Sequence, residues 1–296
     1  MNKCIQLKGK MNMKIAVSAE STSDLPRELI DKYHISVIPF EVTLGDRTDF
    51  DGNITPQDIY DFVEKHNILP KTSAINAFTY GEHFSKLRKD HDGVIHICLG
   101  SQISSAYGNA KFAASELDNV HVIDSASLSS GTGLLVLYAA KLAEEGKLTA
   151  AEIAEKVQAR VPFVQASFVV NTIEYLYKGG RCSALARLGA HLFRIKPQIV
   201  LKEGRLIPGK KYMGRNSAVI HEYCQDILEE FPNPDLSVAF VTHTSASPEM
   251  VEEAKESLKS KGFKEIYETI AGATITSHCG AKTLGILYIN DAGQVK

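Results

Sequence analysis

Three words in this 296-residue chain approach familiar reaction motifs and fail at a residue the chemistry needs, and a fourth motif is missing altogether. Gly131-Thr132-Gly133 follows a strand-like run and opens a helix-like one, as a dinucleotide turn would. Val136, however, stands where the third glycine of G-x-G-x-x-G lets helix and strand pack closely. Gly204–Lys211 matches a phosphate-binding loop until Lys211 replaces the hydroxyl that would hold magnesium, and its flanks read as a hairpin rather than strand-to-helix. His221-Glu222 begins a zinc-hydrolase word, but Gln225 occupies the position of the second histidine, so no metal is expected. No G-x-S-x-G elbow accompanies the many serines, which leaves a triad hydrolase without its local signature.

What remains unusual is the crowding of small polar residues at the carboxyl ends of predicted strands, where open α/β sheets place ligands. The clusters are Glu20-Ser21-Thr22-Ser23, the run Gly100 to Ser105 with Ser101 and Ser104, and the run Ser125 to Thr132. Each precedes a helix, so hydroxyls and unpaired N–H groups could receive an anion. Helix capping alone explains any single cluster; for three at one sheet edge, capping and anion binding fit equally well. Two further segments carry charge chemistry. Gly272 to Gly280 sets His278 among small residues in a glycine-flanked loop, where an imidazole could donate to a carboxylate or simply be exposed. Lys178-Gly179-Gly180-Arg181 puts an arginine on a glycine hinge, suited to a phosphate or carboxylate, or to a helix C-cap with a solvated cation.

The elements that must position these groups follow from hydrophobic periodicity. Lys14–Ala19, Ile35–Leu44, Gly93–Leu99 and Val120–Asp124 read as strands, alternating with helices at Arg27–Tyr33, Thr55–Glu64, Ser104–Leu117 and Ser130–Glu145. Such β-α repetition predicts an N-terminal doubly wound, mostly parallel sheet domain over residues 13–160. Residues 161–296 read as a second, α+β domain, with a hairpin turning at Glu203-Gly204 and helices at Asn216–Phe231 and Pro248–Lys261. Exchange of elements between the two is compatible with this pattern. Residues 1–12 are set aside as a disordered N-terminal extension.

Composition narrows the functional classes. With 44% hydrophobic and 23% charged residues the chain is globular, and a net charge of -2 gives no global pull toward nucleic acid or anionic lipid. Five cysteines, an odd number without a C-x-x-C pair, argue for a reducing compartment, and no run of eighteen apolar residues is present, so a cytoplasmic location is expected. Residues 178–215 form a local exception, with ten Lys/Arg against Glu203. That block suits an acidic partner, an anionic membrane surface or solvent; nucleic acid is least favoured because few aromatics interleave for stacking.

Taken together, the words resemble the DegV family, the fatty-acid-binding proteins that serve bacterial fatty acid kinase. The resemblance runs from about Met13 to Ile289. It is carried by Ser21-Thr22-Ser23-Asp24-Leu25, Thr72-Ser73, Ser101 to Ser105 before Ala106-Tyr107, Val122-Ile123-Asp124-Ser125, Glu174 to Arg181, Ile195-Lys196-Pro197, and the His278 segment leading into Leu284-Gly285-Ile286. It implies a non-catalytic lipid-binding subunit with no cofactor beyond its ligand. The acyl tail would lie in an apolar tunnel between or beside the domains. The carboxylate would be held by Thr72, Ser104 and His278, with Ser101, Ser73 and Ser125 as further head-group residues and Arg181 at the phosphate or partner contact. A separate ATP-dependent kinase subunit would phosphorylate the carboxylate, and the acyl phosphate would feed phospholipid synthesis.

The sequence departs from the family pattern at Glu20, where the family has Asp; at Ala74-Ile75-Asn76, where it has Gln-Pro-Ser; and at Cys279, where it has Thr. Phe163, Phe168, Ile173, Leu176, Leu188, Leu192 and Phe193 are the residues that could wall a tail. Burial contributes about 0.8 kcal/mol per methylene, so a long chain offers roughly 10 kcal/mol of gross drive, while two hydroxyls and an imidazole offset the dehydration of the carboxylate. Two other classes compete: a stand-alone acyl or phosphoryl transferase using the serine loops, and a basic regulatory protein that binds nucleic acid.

Overall fold

The computed structural model describes residues 13–182, 184 and 195–294; the expected N-terminal extension lies outside them. Strand β1 (Ile15–Glu20), helix α1 (Arg27–Lys32) and β2 (Ser36–Ile38) open the chain. The single strand expected over Ile35–Leu44 is two. Pro39, which has no N–H to give a ladder, separates β2 from β3 (Glu41–Leu44), and the two halves join different sheets. β4 (Arg47–Phe50) follows. Helix α2 (Pro56–His66) starts at Thr55, whose hydroxyl accepts from Asp58 N–H while the Asp58 carboxylate accepts from Thr55 N–H, a reciprocal cap with Pro at the first turn.

β5 (Lys71–Ser73) and α3 (Ala77–Arg88) had no counterpart in the periodicity reading. β6 (Gly93–Cys98), α4 (Ala106–Ala114), β7 (Val120–Asp124) and α5 (Ser130–Glu144) then complete the predicted alternation. α6 (Ala150–Arg160) is a further unpredicted helix, opened by a Thr149–Glu152 capping box. β1, β2, β6 and β7 make a fully parallel sheet in the order β2-β1-β6-β7, and β4-β3-β5 make a small antiparallel one.

After Arg160 come β8 (Val164–Val169), α7 (Glu174–Lys178), the hairpin β9 (Ile195–Lys202) and β10 (Arg205–Met213), α8 (Asn216–Glu230), β11 (Val238–Thr244), α9 (Pro248–Lys261), β12 (Glu265–Ile270), α10 (Ala273–Cys279) and β13 (Thr283–Ile289). Their six strands form one mixed sheet, β10-β9-β8-β13-β11-β12, parallel only between β11 and β12. The chain is thus α/β, with a parallel sheet before Arg160 and a separate mixed sheet after it.

α5 joins the two layers. Its residues from Ser130 to Leu137 are all buried, and it packs on β1 and β6 of one sheet and on β8, β11 and β13 of the other. A helix apolar around its whole circumference has to be enclosed, and here Leu134, Leu135 and Val136 share one core with Ile95 and Ile97 on one side and Ala166, Phe240 and Leu287 on the other. Arg160 adds a polar tie: its guanidinium donates twice to Asp291, at 2.8 and 2.9 Å, and once to Asp235 at 2.7 Å. No helix among the described residues is long and apolar enough to cross a membrane.

Candidate functional site

The segment expected to be a glycine-flanked loop is the short helix α10. Seven residues rich in β-branched side chains do not make a stable helix unaided. Two carboxylates from distant parts of the chain hold its first turn: Asp51 accepts from Ala273 N–H at 2.8 Å and Thr274 N–H at 3.3 Å, and Asp24 accepts from Gly272 N–H at 2.8 Å. Asp24 is fully enclosed. Burial pushes its carboxyl up to about 8, against the opposing effect of bonds from Ser129 and Gly272. The helix ends at Gly280, whose φ of +69° suits glycine and whose Cα lies against the Tyr175 ring, so that an added Cβ would come within 2.7 Å of it.

This anchoring sets His278 in the last turn of α10, with Nε2 2.8 Å from the Thr72 hydroxyl on β5. Nδ1 has no hydrogen-bond partner among the described residues and lies against Gly179. Burial first, then the nearby Arg181 cation, bring its pKa down to about 4, so the ring is neutral at neutral pH. A neutral imidazole with its proton on Nε2 leaves no buried N–H unpaired. His278 then donates to Thr72, and the Thr72 proton is left for a ligand.

Ser104 stands on the loop between β6 and α4, where its Oγ accepts from Ala106 N–H at 3.2 Å, so its hydroxyl proton also remains to be given. The loop is fixed from below. Leu99 N–H donates to Glu20 at 2.7 Å, Gly100 N–H to Ser127 O at 2.8 Å, and Ser101 N–H to Asp124 at 3.0 Å.

Thr72, Ser101, Ser104, Arg181 and His278 line one cavity of about 540 Å³, within the range typical of small-ligand sites. The rest of its wall is largely apolar, including Phe40, Leu99, Ile103, Leu128, Phe168, Leu176, Leu206 and Ile275. A narrower void of about 30 Å³ behind α10 shares Leu128, Phe168, Ile275 and Cys279 and reaches Leu287. Burial pushes the Cys279 thiol up to about 12, which keeps it protonated.

The structure does not bring every proposed head-group residue to this cavity. Ser73 is exposed, because alternate residues of β5 face opposite ways and Thr72 faces in. Ser125 is buried beneath the loop, where its Oγ pairs with Thr132 at 3.0 Å and accepts from Ser127 N–H at 3.1 Å. Of the suggested tail residues, Phe168 and Leu176 line the cavity, Ile173 packs on the core beside it, and Phe163 is 40% exposed and away from it. Leu188, Leu192 and Phe193 lie outside the described residues. Arg187 and Arg194 of the basic block lie outside them too. Within the block, Lys178 pairs with Glu174 and Lys210 with Asp226.

Thr274 was missed. It lines the cavity one helical turn before His278, with its buried Oγ1 unpartnered among the described residues. The i,i+4 relation that signals it exists only if 273–279 is a helix. Arg181 Nη1 donates to Gly179 O at 2.7 Å and meets no carboxylate among the described residues; burial lowers its pKa. The donor set is therefore hydroxyls, a neutral imidazole and one guanidinium around an apolar void, fit to hold an organic anion by its head. No acid backs His278, and the imidazole is bonded to Thr72 rather than Ser104, so a charge-relay triad is not assembled among these residues.

Comparison with known proteins places the chain beside one family. The family model described as "Uncharacterised protein, DegV family" matches residues 14–291. Protein DegV of Bacillus subtilis is 29% identical over 280 residues, 93% of this chain and 99% of that protein. Among solved structures, a DegV-family protein of Thermus thermophilus, described for its fatty acid binding, superimposes with a TM-score of 0.86 at 26% identity, covering 94% of this chain and 100% of that one. The structure of Bacillus subtilis DegV, described as a fatty acid binding protein, gives a TM-score of 0.81 at 29% identity over 94% and 100% of the two chains.

Proposed function

The chain belongs to the DegV family, and from that premise we propose that it binds a long-chain fatty acid in the cavity between α10, β5 and the Gly100–Ser105 loop. One observation carries the reading: the Thr72–His278 pair, 2.8 Å apart and neutral, stands on the wall of a mainly apolar cavity of about 540 Å³. The hydroxyl protons of Thr72 and Ser104 meet the carboxylate, and the aliphatic and aromatic wall takes the chain. A buried carboxylate loses its hydration, and neutral donors restore it without adding a charge that would itself need burial. Affinity comes mainly from the tail, and orientation from the head.

Within this proposal the protein acts in the cytoplasm as a carrier rather than as the catalyst, presenting the carboxylate to a separate ATP-dependent kinase subunit that makes the acyl phosphate for phospholipid synthesis. Arg181 supports that role: it borders the cavity with no acid paired to it among the described residues, as a group reserved for incoming phosphate or for the partner would. Mass spectrometry of lipid extracted from the purified protein tests the first step. About one fatty acid per chain is expected; a nucleotide, or protein that takes up no fatty acid when offered it, would rule the reading out.

A further inference from the structure

The parallel sheet holds a polar quartet where its covered face would ordinarily be apolar. β1 and β6 run in parallel register, with Ser18 beside His96 and Ala19 beside Ile97, and one step on Glu20 meets Cys98. Side chains two apart on a strand share a face, so Ser18, Glu20, His96 and Cys98 form a two-by-two array beneath α3, covered by Tyr80, His83 and Phe84. All four are buried. One oxygen of Glu20, one nitrogen of His96 and the sulfur of Cys98 lie within 4.8 Å of one another, and His96 Nε2 is 3.8 Å from Glu20 Oε1.

Two details separate this cluster from an ordinary buried hydrogen-bond network. His96 Nδ1 is held by the Ser18 hydroxyl at 2.9 Å, while Nε2, with no exposure, has no hydrogen-bond partner among the described residues and faces the carboxylate. The carboxylate is itself fixed by the Tyr80 hydroxyl at 2.5 Å on one oxygen, and by Leu99 N–H at 2.7 Å and the Thr22 hydroxyl at 3.3 Å on the other.

We propose that Glu20, His96 and Cys98 form a binding site for a divalent cation of the zinc type. Carboxylate, imidazole and thiolate are its usual ligands, and Ser18 acts as the outer partner that fixes the ring with one nitrogen free for the metal. Charge closes as well: a dication with one carboxylate and one thiolate is neutral, which a buried site favours. The buried Cys98 thiol, hydrogen-bonded to Glu20 without metal, would release its proton by way of that carboxylate to solvent as the metal–sulfur bond forms. The three residues would supply three of the four ligands such an ion takes. The ion would clamp the carboxyl ends of β1 and β6 directly below Leu99, where the loop carrying Ser104 begins, and so stiffen one wall of the ligand cavity. Neither a helical histidine word nor a C-x-x-C pair marks this site; its signal is the strand word His96-Ile97-Cys98 with Glu20 across the ladder.

The test uses the full chain, purified without chelator or polyhistidine tag, loaded with zinc and then with cobalt. About one metal per chain by elemental mass spectrometry is expected, with a melting temperature that falls on chelation and recovers with zinc. Cobalt should give a thiolate charge-transfer band that both Cys98→Ser and His96→Gln abolish. Should either variant fail to fold, X-ray absorption at the metal edge of the loaded wild type must report one sulfur among light ligands. Protein that retains no metal after loading, a band that survives in Cys98→Ser, or a shell without sulfur would overturn the site.

Discussion

Gly179 lies against the imidazole of His278, so closely that a methyl group on its Cα would sit 2.7 Å from Nδ1 and 2.7 Å from Tyr175 O. The glycine word after α7 is therefore part of the proposed carboxylate site, because the absence of a side chain lets the backbone close on the ring. Gly179→Ala should displace His278 at a cost of about 1–3 kcal/mol in stability and weaken fatty acid binding at least about tenfold. Gly180, at φ +72° with open space around it, is the control. Gly180→Ala should cost about 1 kcal/mol through backbone strain alone and leave affinity in place. Displacement of a fluorescent fatty acid distinguishes the two; equal affinities would show that His278 tolerates the shift.

Thr72 and His278 belong to different ends of the chain and share one hydrogen bond, so their contributions to binding should not add. Thr72→Val and His278→Ala are each expected to lower affinity by roughly 10- to 150-fold, the range of a hydrogen bond to a charged group. Because each substitution also releases the partner, the double variant should lose less than the product of the two losses. A double-mutant cycle by calorimetry measures this; strict additivity would mean that the pair does not act on the ligand together. Ser104→Ala, on a separate loop, should add independently.

Arg181 gives a different expectation. If its guanidinium serves the incoming phosphate or the kinase, Arg181→Ala should depress phosphorylation of the bound acid by the partner at least about tenfold more than it depresses binding. Parallel assays of affinity and acyl phosphate formation decide the matter, and equal losses would reduce Arg181 to a residue that shapes the cavity.

The buried strands of both sheets were legible because each is a short apolar run between turn residues, and β6 or β11 could hardly be anything else. α10 was not. Its residues Thr274, Ile275 and Thr276 are indifferent helix formers, and the carboxylates that hold its first turn, Asp24 and Asp51, lie more than two hundred residues earlier. A local reading consequently found a histidine in a loop and could not find Thr274 on the same helical face. β5 escaped for a related reason, since three residues with two hydroxyls carry no apolar alternation; its existence rests on pairing with β3. Family resemblance points to Thr72 for the carboxylate and to Ser73 as a further head-group residue, and the pleat of that strand separates the inward threonine from the exposed serine.

Asp24 makes stability depend on pH in a window of its own. Its folded carboxyl is raised to about 8 from the ordinary 3.8, so the folded state keeps a proton that the unfolded chain has lost, and stability present at low pH drains away as pH rises through about 8. His278 and His83 work in the other direction. Burial lowers both to about 4 from 6.5, so their effect is to reduce stability as pH falls from 6.5 toward 4. The opposing slopes overlap below 6.5, whereas between 6.5 and 8 Asp24 acts without them. Urea denaturation at intervals across that window should show stability falling by up to about 1.4 kcal/mol per pH unit. Asp24→Asn, which keeps an acceptor for Gly272 N–H but cannot ionise, should flatten the profile there and overtake the wild type near pH 8. An unchanged slope in the variant would mean that Asp24 ionises normally despite its enclosure, and the first turn of α10 would then rest on a charged carboxylate instead of a neutral one.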